Sequence, residues 1–164
     1  MRRHNIRHPH AAAYFRIPNH LLGGIAYNEV GGDPVFFDDA GFIKEFMKGG
    51  MTRALKASFG PVQMQLRVAA YMLGYTKVTT DLAQQIITLL QNPAANLFIV
   101  AKYISDVHQS PRRWGDVEEK FIAAHYNGGP KGWVSDDAQR YARDYMKYRP
   151  WVKSVLGPGG AVAN

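Results

Sequence analysis

No cysteine occurs among the 164 residues, so neither a disulfide framework nor a thiolate zinc site can be built. Cysteine usage therefore leaves the redox compartment open. No apolar run reaches the ~18 residues of a membrane span, and no span is expected. No stretch of useful length alternates with the period of a strand, and no segment repeats, which points away from sandwiches, barrels and solenoids. The basic start, MRRHNIRHPH, runs into Ala11–Ala13 without an apolar core of signal-peptide length. No secretion signal is expected from it.

Acidic residues are also missing where they would balance the charge. Residues 46–80 hold Lys48, Arg53, Lys56, Arg67 and Lys77 and no acid. Five of the thirteen acids, Glu29, Asp33, Asp38, Asp39 and Glu45, fall just before that stretch. The net charge of +7 implies an anionic partner such as nucleic acid, a membrane surface or a bacterial wall polymer. Carboxylates clustered beside a basic stretch fit a reactive site on an anion-binding surface better than a uniform nucleic-acid face.

The length suits one domain burying roughly two-thirds of its unfolded surface. What is present is helical. Ile17 to Pro34, IPNHLLGGIAYNEVGGDP, reads as a short helix with Pro18 in its first turn and Leu21, Leu22, Ile25 and Ala26 on a buried face. A short helix is expected around 42–47, and Gly49-Gly50 is expected to be a mobile joint. Ser58 can cap, Gly60 permits an unusual turn, and Pro61 would open an apolar helix to Leu73 that serves as the buried centre. Amphipathic helices follow at 80–91, with Leu82, Ile86, Leu89 and Leu90 inward, and after the Asn92-Pro93 cap. A helix at 117–126 should stop at Asn127-Gly128-Gly129-Pro130, and a last one should run from Asp136 or Asp137 to about Tyr148, ended by Pro150. The expected class is all-α, with a minor β segment in 31–58. Residues 1–16, with His4, His8 and His10, are expected to be a flexible basic arm, 17–150 the domain, and 151–164 a flexible tail.

Glu29 is the residue this layout singles out. It lies one turn beyond Ile25 and Ala26, at the rim of the buried face and at the negative end of the helix dipole. Dipole and desolvation both favour the protonated carboxyl, the form a general acid needs near neutral pH. The competing reading is an ordinary helix-end Glu in water.

Three landmarks then follow in order: Glu29 ending an apolar helix, Gly60-Pro61-Val62-Gln63-Met64, and Ala123-Ala124-His125-Tyr126-Asn127-Gly128-Gly129, with Asn92–Asn96 between the last two. Together they resemble the lysozyme-like superfamily of lytic transglycosylases and goose-type lysozymes over about 17–149. That family ends its first core helix on a catalytic Glu. A Gly-Leu-Met-Gln-type turn, an Asn-Pro-x-x-Asn helix and an Ala-Tyr-Asn-Ala-Gly-type motif follow it. The resemblance implies a lysozyme-like helical domain around a central buried helix, with Glu29 as acid/base. It implies Gln63 lining a sugar cleft with Ser58 beside it, Tyr126 bonding Glu29, and Asn127 shaping the same wall. Two departures stand out: Val30 replaces the Ser that usually follows the Glu, and Pro61-Val62 replaces Leu-Met.

On this resemblance the expected activity is cleavage of the β-1,4 MurNAc–GlcNAc bond of peptidoglycan, with no cofactor and no metal. Asp33, Asp38 and Asp39 could supply a second carboxylate that activates water, with Asp38 and Asp39 the chosen candidates. The expected partners are glycan strands and, for a type VI secretion effector, an immunity protein, but no nucleic acid. The expected place of action is the bacterial periplasm or wall, reached by a secretion apparatus, a fusion partner or lysis. A non-catalytic wall-binding or structural module is the competing class. A nucleic-acid binder is a third, but no helix-turn-helix, RNA-binding or zinc signature appears.

Overall fold

The computed structural model describes residues 8–30, 38–108 and 114–156, with side chains throughout except at 8–10, 30 and 38–41. Among these residues the chain is predominantly helical, with one two-stranded antiparallel sheet. The helices are α1 His8–Tyr14, α2 Asn19–Val30, α3 Asp38–Ala54, α4 Leu66–Met72, α5 Thr80–Gln91, α6 Pro93–His108, α7 Asp116–Gly132 and α8 Asp136–Leu156. The strands are β1 Ser58–Phe59 and β2 Met64–Gln65. The all-α class with a minor β segment is what the sequence indicated, although the strands lie at 58–65 and only reach the end of the expected 31–58 stretch. No described helix is long and apolar enough to cross a membrane. The chain divides into two units, one holding 29–100 and the other 7–28 with 101–164.

In the first unit, the stretch expected to begin a central helix at Pro61 forms a hairpin instead. Ser58 pairs with Gln65 and Phe59 with Met64, and Gln63 N–H closes the four-residue loop on Gly60 O at 3.0 Å. Gly60 (φ 74°) and Gln63 (φ 48°) both take left-handed backbone, which a helix from Pro61 could not contain. Packing fixes this choice: a Cβ on Gly60 would collide with the Asn96 amide and the Leu90 carbonyl. Asn96, fully buried in α6, donates to Leu90 O at 2.9 Å and Phe59 O at 3.2 Å, tying the hairpin to the α5–α6 junction.

Only α4 remains of the expected central helix. It buries Leu66, Ala69, Ala70 and Met72 and leaves Arg67 and Tyr71 exposed, so it is not the buried centre. Its apolar composition reads as a helix because Val62 and Met64 are buried too, but they are buried from the hairpin. α5 spans its expected residues, started by Thr79, whose hydroxyl accepts from Leu82 N–H at 3.3 Å. Its buried face is Ala83, Ile86, Ile87 and Leu90; Leu82 is half-buried and Leu89 exposed, a rotation from the expected stripe. Asn92 caps α6 as expected, its Oδ1 accepting from Ala94 and Ala95 N–H. α3 extends well beyond 42–47 and breaks at Gly49-Gly50, where Gly50 has φ 62°.

In the second unit, α2 follows Pro18, whose carbonyl takes the first helical bonds from Leu21 and Leu22. Leu21, Leu22, Ile25 and Ala26 are buried, as their spacing implied. α8 packs against this face closely enough that a Cβ on Gly24 would lie 2.6 Å from the Tyr145 ring. α7 breaks at Gly129 (φ 69°), within the expected stop, and Pro130 opens the short turn that follows. α8 does not end at Pro150. Val152 beyond the proline is buried, and Leu156 packs on Gly23, so apolar contact carries the helix past the lost backbone bond. Ala11 and Ala12 of α1 are buried as well.

Candidate functional site

Glu29 is the penultimate residue of α2 and half-buried, which is where the periodicity of the Leu-Leu-x-x-Ile-Ala face puts it. It belongs to the first unit, together with the hairpin and the first half of α6. Ser58 is half-buried at the start of β1. Gln63 is exposed at the end of the hairpin loop, and its side-chain amide donates to Gly60 O at 3.1 Å. Ser58 and Gln63 are therefore brought together on one hairpin. α3 begins at Asp38, so Asp38 and Asp39 occupy its first turn, and their side chains lie outside the described residues, as does Asp33.

Tyr126 and Asn127 belong to the second unit. Tyr126 is half-buried in α7 between the rings of Tyr103 (centroids 6.0 Å apart) and Tyr141 (6.4 Å), while Asn127 is exposed. Beneath them Tyr103 and His125 are buried together. The Tyr103 hydroxyl lies 2.8 Å from His125 Nδ1 and donates to the His125 carbonyl at 3.2 Å. One hydroxyl proton cannot serve both acceptors, so Nδ1 carries the hydrogen and donates to the tyrosine. Burial holds the His125 pKa below the ordinary imidazole range.

A carboxylate outside the motif candidates sits in a dense set of donors. Glu119 of α7 is fully buried, with His20 Nε2 at 3.0 Å and Tyr145 hydroxyl at 2.6 Å. Arg149 reaches it with both ends of its fork, Nε at 2.5 Å and Nη2 at 2.9 Å, and also touches Asp116 at 2.8 Å. Burial pushes the Glu119 pKa up, but the bonds from His20, Arg149 and Tyr145 outweigh it and hold the carboxyl below the usual range. The reciprocal effects raise Tyr145, through burial and the neighbouring anion, and Arg149, through its bond to Glu119. A sequence signal for this site exists: Glu119, Ile122, Ala123 and Tyr126 share one helical face, three of them buried.

No family model, curated protein or solved structure matches the chain. Its function is therefore argued from its own residues and from the motif resemblance alone.

Two carboxylates thus compete for the role of acid, and their surroundings differ in kind. Glu119 is sealed from solvent and held ionised by four donated hydrogen bonds, which makes it a packing anion. Glu29 is partly open at a helix C-terminus. A third carboxylate, Glu45, lines an open cleft of about 540 Å³ in the first unit with Gly49, Thr52, Arg53, Lys56 and Ala57. Bonds from Arg53 and then Lys48 hold Glu45 below the usual range, so it is ionised and unsuited to protonating a leaving group. Glu29 does not line that cleft. The His4, His8 and His10 side chains lie outside the described residues.

Proposed function

We propose that the chain is a peptidoglycan-cleaving glycosidase acting on the β-1,4 MurNAc–GlcNAc bond, with Glu29 as general acid/base. The observation that carries this reading is the position of Glu29, half-buried in the last turn of an apolar helix. A carboxyl placed at the carbonyl end of a helix and partly away from water is the kind that can keep a proton for a leaving group. In the first step Glu29 protonates the bridging oxygen as the C–O bond breaks toward an oxocarbenium-like transition state. The resulting carboxylate then accepts a proton from the attacking hydroxyl, whether of water or of the substrate's own C6, and is restored. Gln63, displayed by a hairpin that Asn96 fixes to the same unit, supplies an amide suited to N-acetyl and hydroxyl groups. Ser58 on the same hairpin adds a hydroxyl to the substrate contacts in this reading.

The setting this reading implies is the periplasm or wall of a target bacterium. The partners are glycan strands and, for a secreted effector, an immunity protein. The non-catalytic class draws support from one feature, the Gln63 amide turned back onto Gly60 O as a loop tie.

Glu29→Gln decides between them. On the glycosidase reading the variant keeps its melting temperature and its binding to sacculi, while fragment release falls by several orders of magnitude, on the order of what loss of an essential acid costs. Release from purified sacculi at a comparable rate by the Gln variant would refute it.

A further inference from the structure

Tyr27 of α2 and Tyr148 and Trp151 of α8 form an exposed aromatic group in the second unit. The three residues are 41%, 43% and 54% exposed, although each is large enough to have supported the core. The rings of Tyr27 and Tyr148 lie 5.1 Å apart at 67°, and those of Tyr27 and Trp151 5.0 Å apart at 52°. The first contact is edge-to-face and the second tilted, arrangements that hold rings in place without stacking them face to face. Tyr148 and Trp151 stand three residues apart on α8, so one helical face presents both.

Two features indicate what such a surface takes. Each ring carries a polar tip, phenol or indole N–H, beside its apolar face. A pyranose ring has the complementary form, with C–H groups on its faces and hydroxyls at its edge. From Tyr145 to Leu156, moreover, α8 carries Lys147, Arg149 and Lys153 and no acid. Arg149 is committed to Glu119 and Asp116 and Lys147 is paired with Asp144 at 2.7 Å, so the cation offered to a polyanion beside the rings is Lys153, two residues past Trp151.

We infer that Tyr27, Tyr148 and Trp151 form a polysaccharide-binding surface that holds the chain on an anionic polymer of β-linked N-acetylhexosamines. The choice of polymer rests on the glycosidase reading. The binding surface itself rests on the aromatic geometry.

The test is cosedimentation of the Glu29→Gln chain, which leaves the polymer intact, with purified sacculi and with anionic phospholipid vesicles, at low and high salt. Retention on sacculi should persist at high salt, where purely ionic attachment is screened. Trp151→Ala and Tyr148→Ala should each weaken it roughly tenfold, the scale of one aromatic contact. Trp151→Phe should recover most of the loss, and Val155→Ala, exposed on the same helix, should change nothing. Unaltered retention in both alanine variants would overturn the inference, as would complete loss at high salt or a ring requirement seen on vesicles but not on sacculi. Fragment release by the parent chain is scored separately. A chain that releases nothing yet depends on the rings for retention leaves the surface standing and removes the glycosidase. A chain that cleaves but ignores the ring variants does the opposite.

Discussion

Replacing Glu119 by alanine should cost more stability than any other single change to a polar side chain considered for this chain. The substitution removes an acceptor that takes four hydrogen bonds from three residues on two helices, His20 of α2 and Tyr145 and Arg149 of α8. It leaves the Tyr145 hydroxyl buried without that acceptor and the Arg149 guanidinium, only 12% exposed, with Asp116 as its remaining carboxylate. Removing one member of a buried pair costs about 3–5 kcal/mol. In a domain of this size each kcal/mol moves Tm by about 2–4 °C, so a fall of about 6–20 °C is expected at neutral pH. Glu119→Gln keeps the volume and one acceptor oxygen but turns an amide donor toward other donors, and should lose about 2–3 kcal/mol.

The pH dependence has a definite sign. Because the folded-state pKa of Glu119 is depressed, its stabilisation is complete above the ordinary Glu value of about 4.3 and drains away as pH falls below it toward the folded-state value. The Tm gap between the parent and Glu119→Gln should therefore be constant from neutral pH down to about 5 and narrow below about 4. Circular dichroism melts across that range measure it. A Glu119→Ala chain within about 1 kcal/mol of the parent at neutral pH, or a gap that stays open in acid, would refute the assignment of this network as a charged clamp.

Other changes probe the hairpin and the chemistry. Gly60→Ala should destabilise by about 2 kcal/mol or more in chemical denaturation, since it adds left-handed strain to a collision with Asn96 and Leu90. Gln63→Gly should relieve the left-handed backbone and leave stability within about 1 kcal/mol of the parent, yet lower fragment release from sacculi; unchanged release would remove Gln63 from the site. The fragments themselves report the route. Reducing ends together with loss of activity in Asp38→Asn or Asp39→Asn would mean a water-activating base, about 6.5–9.5 Å from the acid in inverting enzymes. Anhydro ends with both variants active would mean internal attack by the C6 hydroxyl.

Helices with a clean apolar period were legible in the sequence: α2 with its buried Leu21, Leu22 and Ile25, α5 at its exact residues, and the Gly129 break in α7. Elements decided by distant partners were not. The stretch from Pro61 looks helical by composition, but Gly60 must seat against Leu90 and Asn96, about thirty residues on, and that contact imposes the hairpin. Pro150 looks like a helix stop, but α8 continues because Val152 and Leu156 find apolar contacts, Leu156 on Gly23 of α2.

The two glutamates show the same limit in chemistry. Sequence logic treats a carboxylate on an apolar helix face as desolvated and hence inclined to hold its proton. By that logic Glu119 is a better acid than Glu29, because its surroundings are drier. The donors reverse the sign, and they arrive from 26, 30 and 99 residues away, beyond any local pattern. Burial therefore does not by itself mark a catalytic acid. An acid must also be reachable by substrate and must lack a set of donors that holds it ionised. Glu119 fails both conditions, being sealed and saturated with donors, while Glu29 is half-buried in the last turn of its helix and so is open to solvent in part. That asymmetry is why loss of Glu119 should be read in melting curves and loss of Glu29 in fragment release.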